Sequence, residues 1–234
     1  MAKVDSIIKF SGTLDKLTFV RSAAYGDHVR RKRGSVKPAR VNEAFKRSSD
    51  ELKMATPYAK LIKDSVNPFL SNCRDWTLWS RLRSFFRKQV RSGSIDYYEL
   101  VGFEFHKKHT LDSLLRGRPA IDASINGSEL CISFQLQAPP HIPLSYIDGY
   151  QLTLVVIGVN GESTSSCTGE YPLGLARLNE KPGIEQLRLS LKEPADTIIL
   201  ALKCEGCKGN NVMNNAKSQG MAIVHVLKWP KDKG

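Results

Sequence analysis

Hydrophobic and polar positions change rhythm twice along this chain. Near the start, residues 6 to 10 (Ser-Ile-Ile-Lys-Phe) and 14 to 20 (Leu-Asp-Lys-Leu-Thr-Phe-Val) are rich in β-branched and aromatic residues. Ser11-Gly12-Thr13 between them has the turn chemistry of a hairpin. In Tyr25-Gly26-Asp27 the glycine supplies the positive φ of a tight turn, so His28 to Arg33 returns as a further strand. The pattern predicts a small antiparallel meander over residues 5 to 34.

A helical rhythm follows and predicts three helices. The first starts at Asn42, a good N-cap, with Val41, Phe45, Ser48 and Leu52 on one face. The second opens at Thr56-Pro57, a cap followed by proline at the first helical position, and aligns Tyr58, Ile62, Val66 and Phe69. The third spans Arg74 to Val90, where Trp76, Trp79, Leu82, Phe86 and Val90 form an apolar stripe and the basic residues project elsewhere. Ser92-Gly93-Ser94 then breaks the pattern as a linker or a tight connection.

Beyond that break the period falls to that of strands. Leu100 to Phe105, Glu129 to Leu136, Tyr150 to Val159, Gln186 to Leu191, Thr197 to Lys203 and Met221 to Leu227 are short apolar runs. Asn126-Gly127, Asp148-Gly149, Asn160-Gly161 and Pro182-Gly183 punctuate them, with Asn160-Gly161 the preferred pair for a two-residue hairpin loop. The predicted fold is therefore α+β: a basic module of meander and helices over residues 1–96, then an antiparallel β-sandwich, Ig-like or jelly-roll-like, over 97–234. Gln137-Ala138-Pro139-Pro140-His141-Ile142-Pro143 reads as a stiff crossover between two of its strands.

The opening from Ile7 to Phe19, together with Val29-Arg30 and Arg33-Gly34, resembles a family of uncharacterised bacterial proteins that begin with a Gly-Thr-Leu hairpin, here Gly12-Thr13-Leu14. The resemblance implies short helices followed by a β-rich C-terminal half. It implies no activity and no site residues, and Lys46-Arg47-Ser48-Ser49-Asp50-Glu51-Leu52 departs from the family's arginine-glutamate-asparagine text.

Charge sharpens this division. The net +12 lies wholly in residues 1–96, which hold 21 lysines and arginines against 9 acids, whereas residues 97–234 hold 14 of each. An excess confined to one part points to an anionic partner for that part. The strongest local feature is Arg30-Arg31-Lys32-Arg33, with Lys37 and Arg40 beyond. As phosphate ligands these would release counterions, and about six contacts would give a logarithmic salt slope near −5 on duplex DNA. The plainer alternative is an edge strand guarded by its own charges. The third helix adds Arg81, Arg87, Lys88 and Arg91 as further candidate phosphate ligands. Its tryptophans share a stripe with Leu82 and Phe86, so they are expected in the core rather than stacked on bases.

Other candidate chemistry is thin. Cys204-Glu205-Gly206-Cys207 has the spacing of half a zinc knuckle but no second pair of ligands, and reads as a loop with two thiols. The five cysteines, odd in number and irregularly spaced, are expected to be reduced. His106 and His109 lie beside Lys107 and Lys108 without a paired carboxylate. There is no Gly-x-Ser-x-Gly elbow, Walker loop or Rossmann glycine fingerprint. No enzyme activity, no cofactor and no metal are expected, and neither a secretory signal nor a spanning segment is read, so the expected setting is cytoplasmic and away from membranes. The leading expectation is a protein that binds nucleic-acid phosphates without reading sequence. Its rival is a structural or assembly protein, a component of a phage-like or surface particle, whose basic module docks on an acidic protein partner or a further copy of itself.

Overall fold

The computed structural model describes residues 2–3, 11–22, 26–32, 42–70, 73, 75–117, 119–127, 129–160, 166–180, 183–190 and 195–229. The fold is α+β, as the sequence predicts, and the chain divides into two compact units, Met1–Arg47 and Ser48–Gly234.

In the first unit, β1 (Ala2–Lys3), β2 (Gly12–Leu14), β3 (Leu17–Val20) and β4 (His28–Arg31) form one antiparallel sheet in the order β1-β4-β3-β2. The meander is present, but its first turn falls later than expected. Leu14 pairs with Leu17, and Asp15-Lys16 make the two-residue connection, with Asp15 at φ 51°. Aspartate tolerates the left-handed region better than most residues, which lets Asp15 displace Ser11-Gly12-Thr13 as the turn. Gly26 stands at φ 74° and its N–H donates to the Ser22 carbonyl, the tight turn expected before β4. The expected strand over residues 6 to 10 lies outside the described residues.

The first two expected helices are one, α1 (Glu43–Val66). Asn42 caps it, its Oδ1 accepting from the Phe45 N–H at 2.8 Å. Pro57 sits on the exposed side, while Glu51, Ala55, Ala59, Ile62 and Val66 keep one buried face unbroken across it. A mid-helix proline costs about 3 kcal/mol, and that continuous face outweighs it. The expected stripe through Phe45 is not the buried one, since Phe45 is exposed. The third helix begins later than read: α2 is Leu78–Ser92, with Leu78, Leu82, Phe86 and Gln89 buried. Gly93 closes it in the left-handed conformation that a C-cap requires. Gln89 then clamps the next segment, donating to the Asp96 carbonyl at 2.7 Å and accepting from the Asp96 N–H at 3.1 Å. Residues 92–94 are thus a tight connection and not a linker between domains.

Eight strands follow: β5 (Ala120–Asn126), β6 (Glu129–Gln135), β7 (Gly149–Val159), β8 (Ser166–Arg177), β9 (Ile184–Ser190), β10 (Thr197–Lys208), β11 (Asn211–Val212) and β12 (Gln219–Lys228), with the short α3 (Leu111–Leu115) ahead of them. One antiparallel sheet runs β11-β10-β7-β8 with β12 also on β10; the other is β5-β6-β9. Strands β5, β8 and the two-residue β11 are additional to those predicted. Leu100 to Phe105 is not a strand of its own but follows a 3-10 turn (Tyr97–Leu100) and bonds along β12, Phe105 N–H donating to the Met221 carbonyl at 2.9 Å. Asn126-Gly127 does turn between β5 and β6, with Gly127 at φ 61°. Asn160 follows β7, but Val159 pairs with Ser166, so the connection is longer than two residues.

The larger sheet is buried on both faces. Val155, Ile157, Ile199, Ala201, Met221 and Ile223 share one core with Ile62, Leu82 and Phe86 of the helices. On the other face Leu154, Val156, Ile198 and Leu200 meet Leu130, Ile132 and Leu189 of the smaller sheet. A register shift opposite Leu200/Ala201 lets β12 place Val226 on the helix side and Leu227 on the sandwich side. The sandwich is therefore a three-layer body with helices on its outer face. The expected division at residue 96 is replaced by one at residue 47, because α1 and α2 bury their apolar faces on the sheet that follows. Among the described residues, no helix is long and apolar enough to cross a membrane.

Candidate nucleic-acid interface

Alternation along β3 and β4 gives the N-terminal sheet two different faces. Thr18 pairs with Arg30 and Thr13 with Thr18, the two threonine hydroxyls 3.1 Å apart, so Thr13, Thr18, His28 and Arg30 share a polar, basic face. Leu14 pairs with Leu17, Leu17 with Arg31 and Phe19 with Val29, so the opposite face is apolar with Arg31 at its end. Leu14 is 70% and Leu17 44% exposed. Strand β4 lies between β1 and β3, so the guarded-edge alternative does not describe it. Arg31 and Lys32 are exposed and Arg30 is half-buried, while Arg33, Lys37 and Arg40 lie outside the described residues.

On the helices, most of the expected phosphate ligands have internal partners. Arg87 Nε and Arg91 Nε both donate to Glu51 Oε2, at 3.0 and 2.7 Å, and Arg87 also reaches Ser48 Oγ at 2.7 Å. The hydrogen bond from Arg91, then that from Arg87, holds the Glu51 carboxyl below its ordinary range against the upward push of burial. Arg81 donates to the carbonyls of Glu104 and Phe105 and faces Asp75 at 3.5 Å. These three arginines join α2 to α1 and to the segment after it. Lys88 is exposed, as is Lys60 of α1. Trp79 lies half-buried with Lys63 over its ring at 5.5 Å and Arg83 at 5.4 Å, two cations on one aromatic.

The expected place of Trp76 in the apolar stripe is overturned. It precedes the helix and is 86% exposed. Asp75 is the reason: its Oδ1 accepts from the Thr77 N–H at 2.8 Å and the Thr77 hydroxyl at 2.6 Å, a turn that starts α2 at Leu78 and throws Trp76 outward. Asp75 Oδ2 accepts from the Lys107 N–H at 2.6 Å, fixing the loop that carries Lys107 and Lys108. Burial works upward on this carboxyl, but the Thr77 and Lys107 hydrogen bonds prevail and hold it below its ordinary range. The Asp75-x-Thr77 spacing is the sequence signal that would have located this turn.

The loop 106–109 is ordered by His106, whose Nδ1 accepts from the N–H groups of Lys108 and His109 at 3.0 and 2.9 Å. Its ring lies 4.7 Å from that of His109. Burial, then the neighbouring His109, lowers the His106 pKa below its ordinary value. Cys204 and Cys207 lie within β10 rather than in a loop, and an odd separation along a strand sends their side chains to opposite faces. They do not converge on one ion, and among the described residues no group of three or more His, Cys, Asp or Glu is placed to hold a metal. Burial pushes the Cys73 thiol up to about 12, and Cys204 and Cys207 also rise through burial. The proline-rich crossover packs inward through Pro140 and Ile142, a connection between β6 and β7.

A shallow cavity of about 250 Å³ lies between α3, β12 and Gly102. Glu104 lines it, but both of its oxygens are occupied by the N–H groups of Leu111 and Asp112, at 2.8 and 3.1 Å. Its carboxyl is taken up by the first two N–H groups of α3, while Thr110 is the N-cap, its hydroxyl accepting from the Ser113 N–H at 3.1 Å.

No family model matches the chain. No curated protein matches it either. Among solved structures it is similar to the solution structure of CsgH from R. palustris, at a TM-score of 0.24 and 9% identity, over 46% of this chain and 91% of that one.

Proposed function

We propose that the protein is a non-enzymatic nucleic-acid-binding protein that holds phosphates through its basic N-terminal part without reading sequence. The observation that carries this reading is the fate of the carboxylates in that part. Asp50, Glu51, Asp64 and Asp75 each stand against a neighbouring Lys53, Arg87 with Arg91, Lys63 or Arg81. Exposed Arg31, Lys60 and Lys88 are not among those cations, within a stretch whose charges sum to the whole chain's excess even with Asp15, Asp27, Glu43 and Asp96 counted. Phosphate contacts of this kind position a polymer and are strongly salt-dependent.

The test is the affinity of nuclease-treated protein for mixed-sequence DNA and RNA across a salt series. Micromolar binding with a steep logarithmic slope supports the reading. Replacing Arg30, Arg31 and Lys32 by alanine should weaken binding equally on all sequences and reduce the slope by about one unit for each phosphate no longer neutralised. No binding at low salt removes the reading.

A second reading, an assembly protein docking on an acidic protein partner, is favoured by one different observation. The exposed Leu14–Leu17 pair with Arg31 beside it is the mixture of apolar centre and arginine found at protein interfaces, and phosphate backbones have no use for the leucines. Leu14→Ser with Leu17→Ser should then reduce sedimentation mass and leave the DNA salt slope as it was.

A further inference from the structure

Trp76 is the least covered large apolar side chain among the described residues, yet it stands on a turn tied by three hydrogen bonds to the Asp75 carboxylate. The other two tryptophans pack against cores, Trp79 against the helical side and Trp229 against the sandwich side. Asp75 uses both carboxylate oxygens to hold the turn and the loop that follows Phe105. That loop brings Lys107 and Lys108, both exposed, to the turn that carries Trp76, and His106 fixes its path through two backbone donors. A flat ring held in water on a rigid mount, with two ammonium groups on the adjoining loop, matches a nucleotide: the base stacks on the indole and the flanking phosphates meet the lysines.

We propose that the Trp76 turn is a stacking platform for one base of single-stranded nucleic acid, with Lys107 and Lys108 as its phosphate ligands; this rests on the phosphate-binding reading above and adds the strand state of the ligand. Two other occupants fit less well. A protein hot spot clusters with other anchors in a well-packed pocket near the centre of its interface, and a membrane-surface anchor sets its aromatic among aliphatic side chains. Here Asp75, Thr77, Ser80, Lys107 and Lys108 supply polar neighbours along the turn and loop. A duplex keeps its bases stacked internally and offers none to the ring, so the platform distinguishes single strands from duplex.

The experiment uses the full chain with fluorescently labelled oligo(dT) and a mixed-sequence duplex of equal length, comparing wild type, Trp76→Ala, Trp76→Phe and Lys107→Ala with Lys108→Ala. Trp76→Ala should weaken oligo(dT) binding by roughly 5- to 150-fold, leave duplex affinity within about twofold and leave the salt slope unchanged. Trp76→Phe should retain much of the affinity and lose most of the tryptophan quenching that oligo(dT) causes in wild type. The lysine pair should lower the single-strand slope by about 1.4, some 0.7 for each phosphate. If wild type binds both ligands and Trp76→Ala binds oligo(dT) equally well, the platform is wrong while the phosphate reading stands. Equal weakening on duplex and single strand also overturns it, as does Trp76-dependent binding to anionic phosphatidylserine vesicles without oligo(dT) quenching. If wild type binds neither DNA nor RNA at low salt, both readings fall together.

Discussion

Lys203 and Glu205 stand two residues apart on β10 and close an ion pair of 2.8 Å inside the protein, at 4% and 8% exposure. Both belong to the helix-covered side of the strand, continuing the row of Ile199 and Ala201. Removing one charge strands the other in a poor solvent. Lys203→Met is expected to cost about 3–5 kcal/mol in a denaturant titration, and Lys203→Met with Glu205→Leu is expected to recover most of that loss. A double variant as unstable as the single one would show that the pair contributes net stability.

The Glu51 link between α1 and α2 predicts an acid limb to the stability curve. Its carboxyl is held below the ordinary value of 4.5, first by the Arg91 hydrogen bond. Because the folded value is depressed, the unfolded chain takes up the proton first as pH falls, so the contribution is complete above 4.5 and disappears below it. The Tm difference between wild type and Glu51→Gln should be present at about pH 7 and shrink toward zero as the pH falls below 4.5 through the depressed folded value. Arg91→Gln should leave the DNA salt slope unchanged, since Arg87 and Arg91 are internal partners here, whereas Lys88→Ala should lower that slope and leave Tm unchanged.

At Gly220 of β12 a side chain has no room. A Cβ there would lie 2.9 Å from the Leu111 nitrogen and 3.0 Å from Leu111 Cα, backbone that cannot turn aside. Gly220→Ala is expected to cost about 1–3 kcal/mol and to raise hydrogen exchange across α3. Gly183, where a Cβ meets nothing within 4 Å, provides the neutral comparison.

Thiol chemistry should follow burial. Cys73, Cys204 and Cys207 are buried with raised pKa values, whereas Cys131 is half-buried on β6. Site-resolved mass spectrometry after treatment with an aromatic disulfide should find Cys131 modified in the native protein and the other three modified only as it unfolds. Prompt native modification of Cys204 would contradict the burial of β10.

Strands β7, β10 and β12 were legible because long apolar runs with β-branched residues leave few alternatives, and β6 because Leu130, Ile132 and Phe134 alternate with less apolar positions. Strand β5 was missed because Ala120, Ala123 and Ser124 dilute its alternation, and β8 because Gly169, Pro172 and Gly174 read as punctuation. Thr56-Pro57 reads locally as a helix start, and only the face running from Glu51 to Val66 reveals that it is not. The charge excess was visible in the sequence. The destinations of Arg87 and Arg91 were not, because Glu51 lies 36 and 40 positions away and the choice between solvent and partner is made by packing.

The order in which the layers are made adds a constraint on how the second unit reaches its native state. A ribosome that has released residue 92 has completed both α1 and α2, with Ile62, Leu82 and Phe86 exposed to water, yet has made none of the sheet that covers them. That cover requires β7, then β10, and is finished only when Met221, Ile223 and Val226 of β12 emerge. Contacts so distant along the chain are slow to close. The nascent helical pair is thus a natural client for chaperones that hold apolar helices, and a chain stalled before β12 should bind such chaperones more than the released chain does.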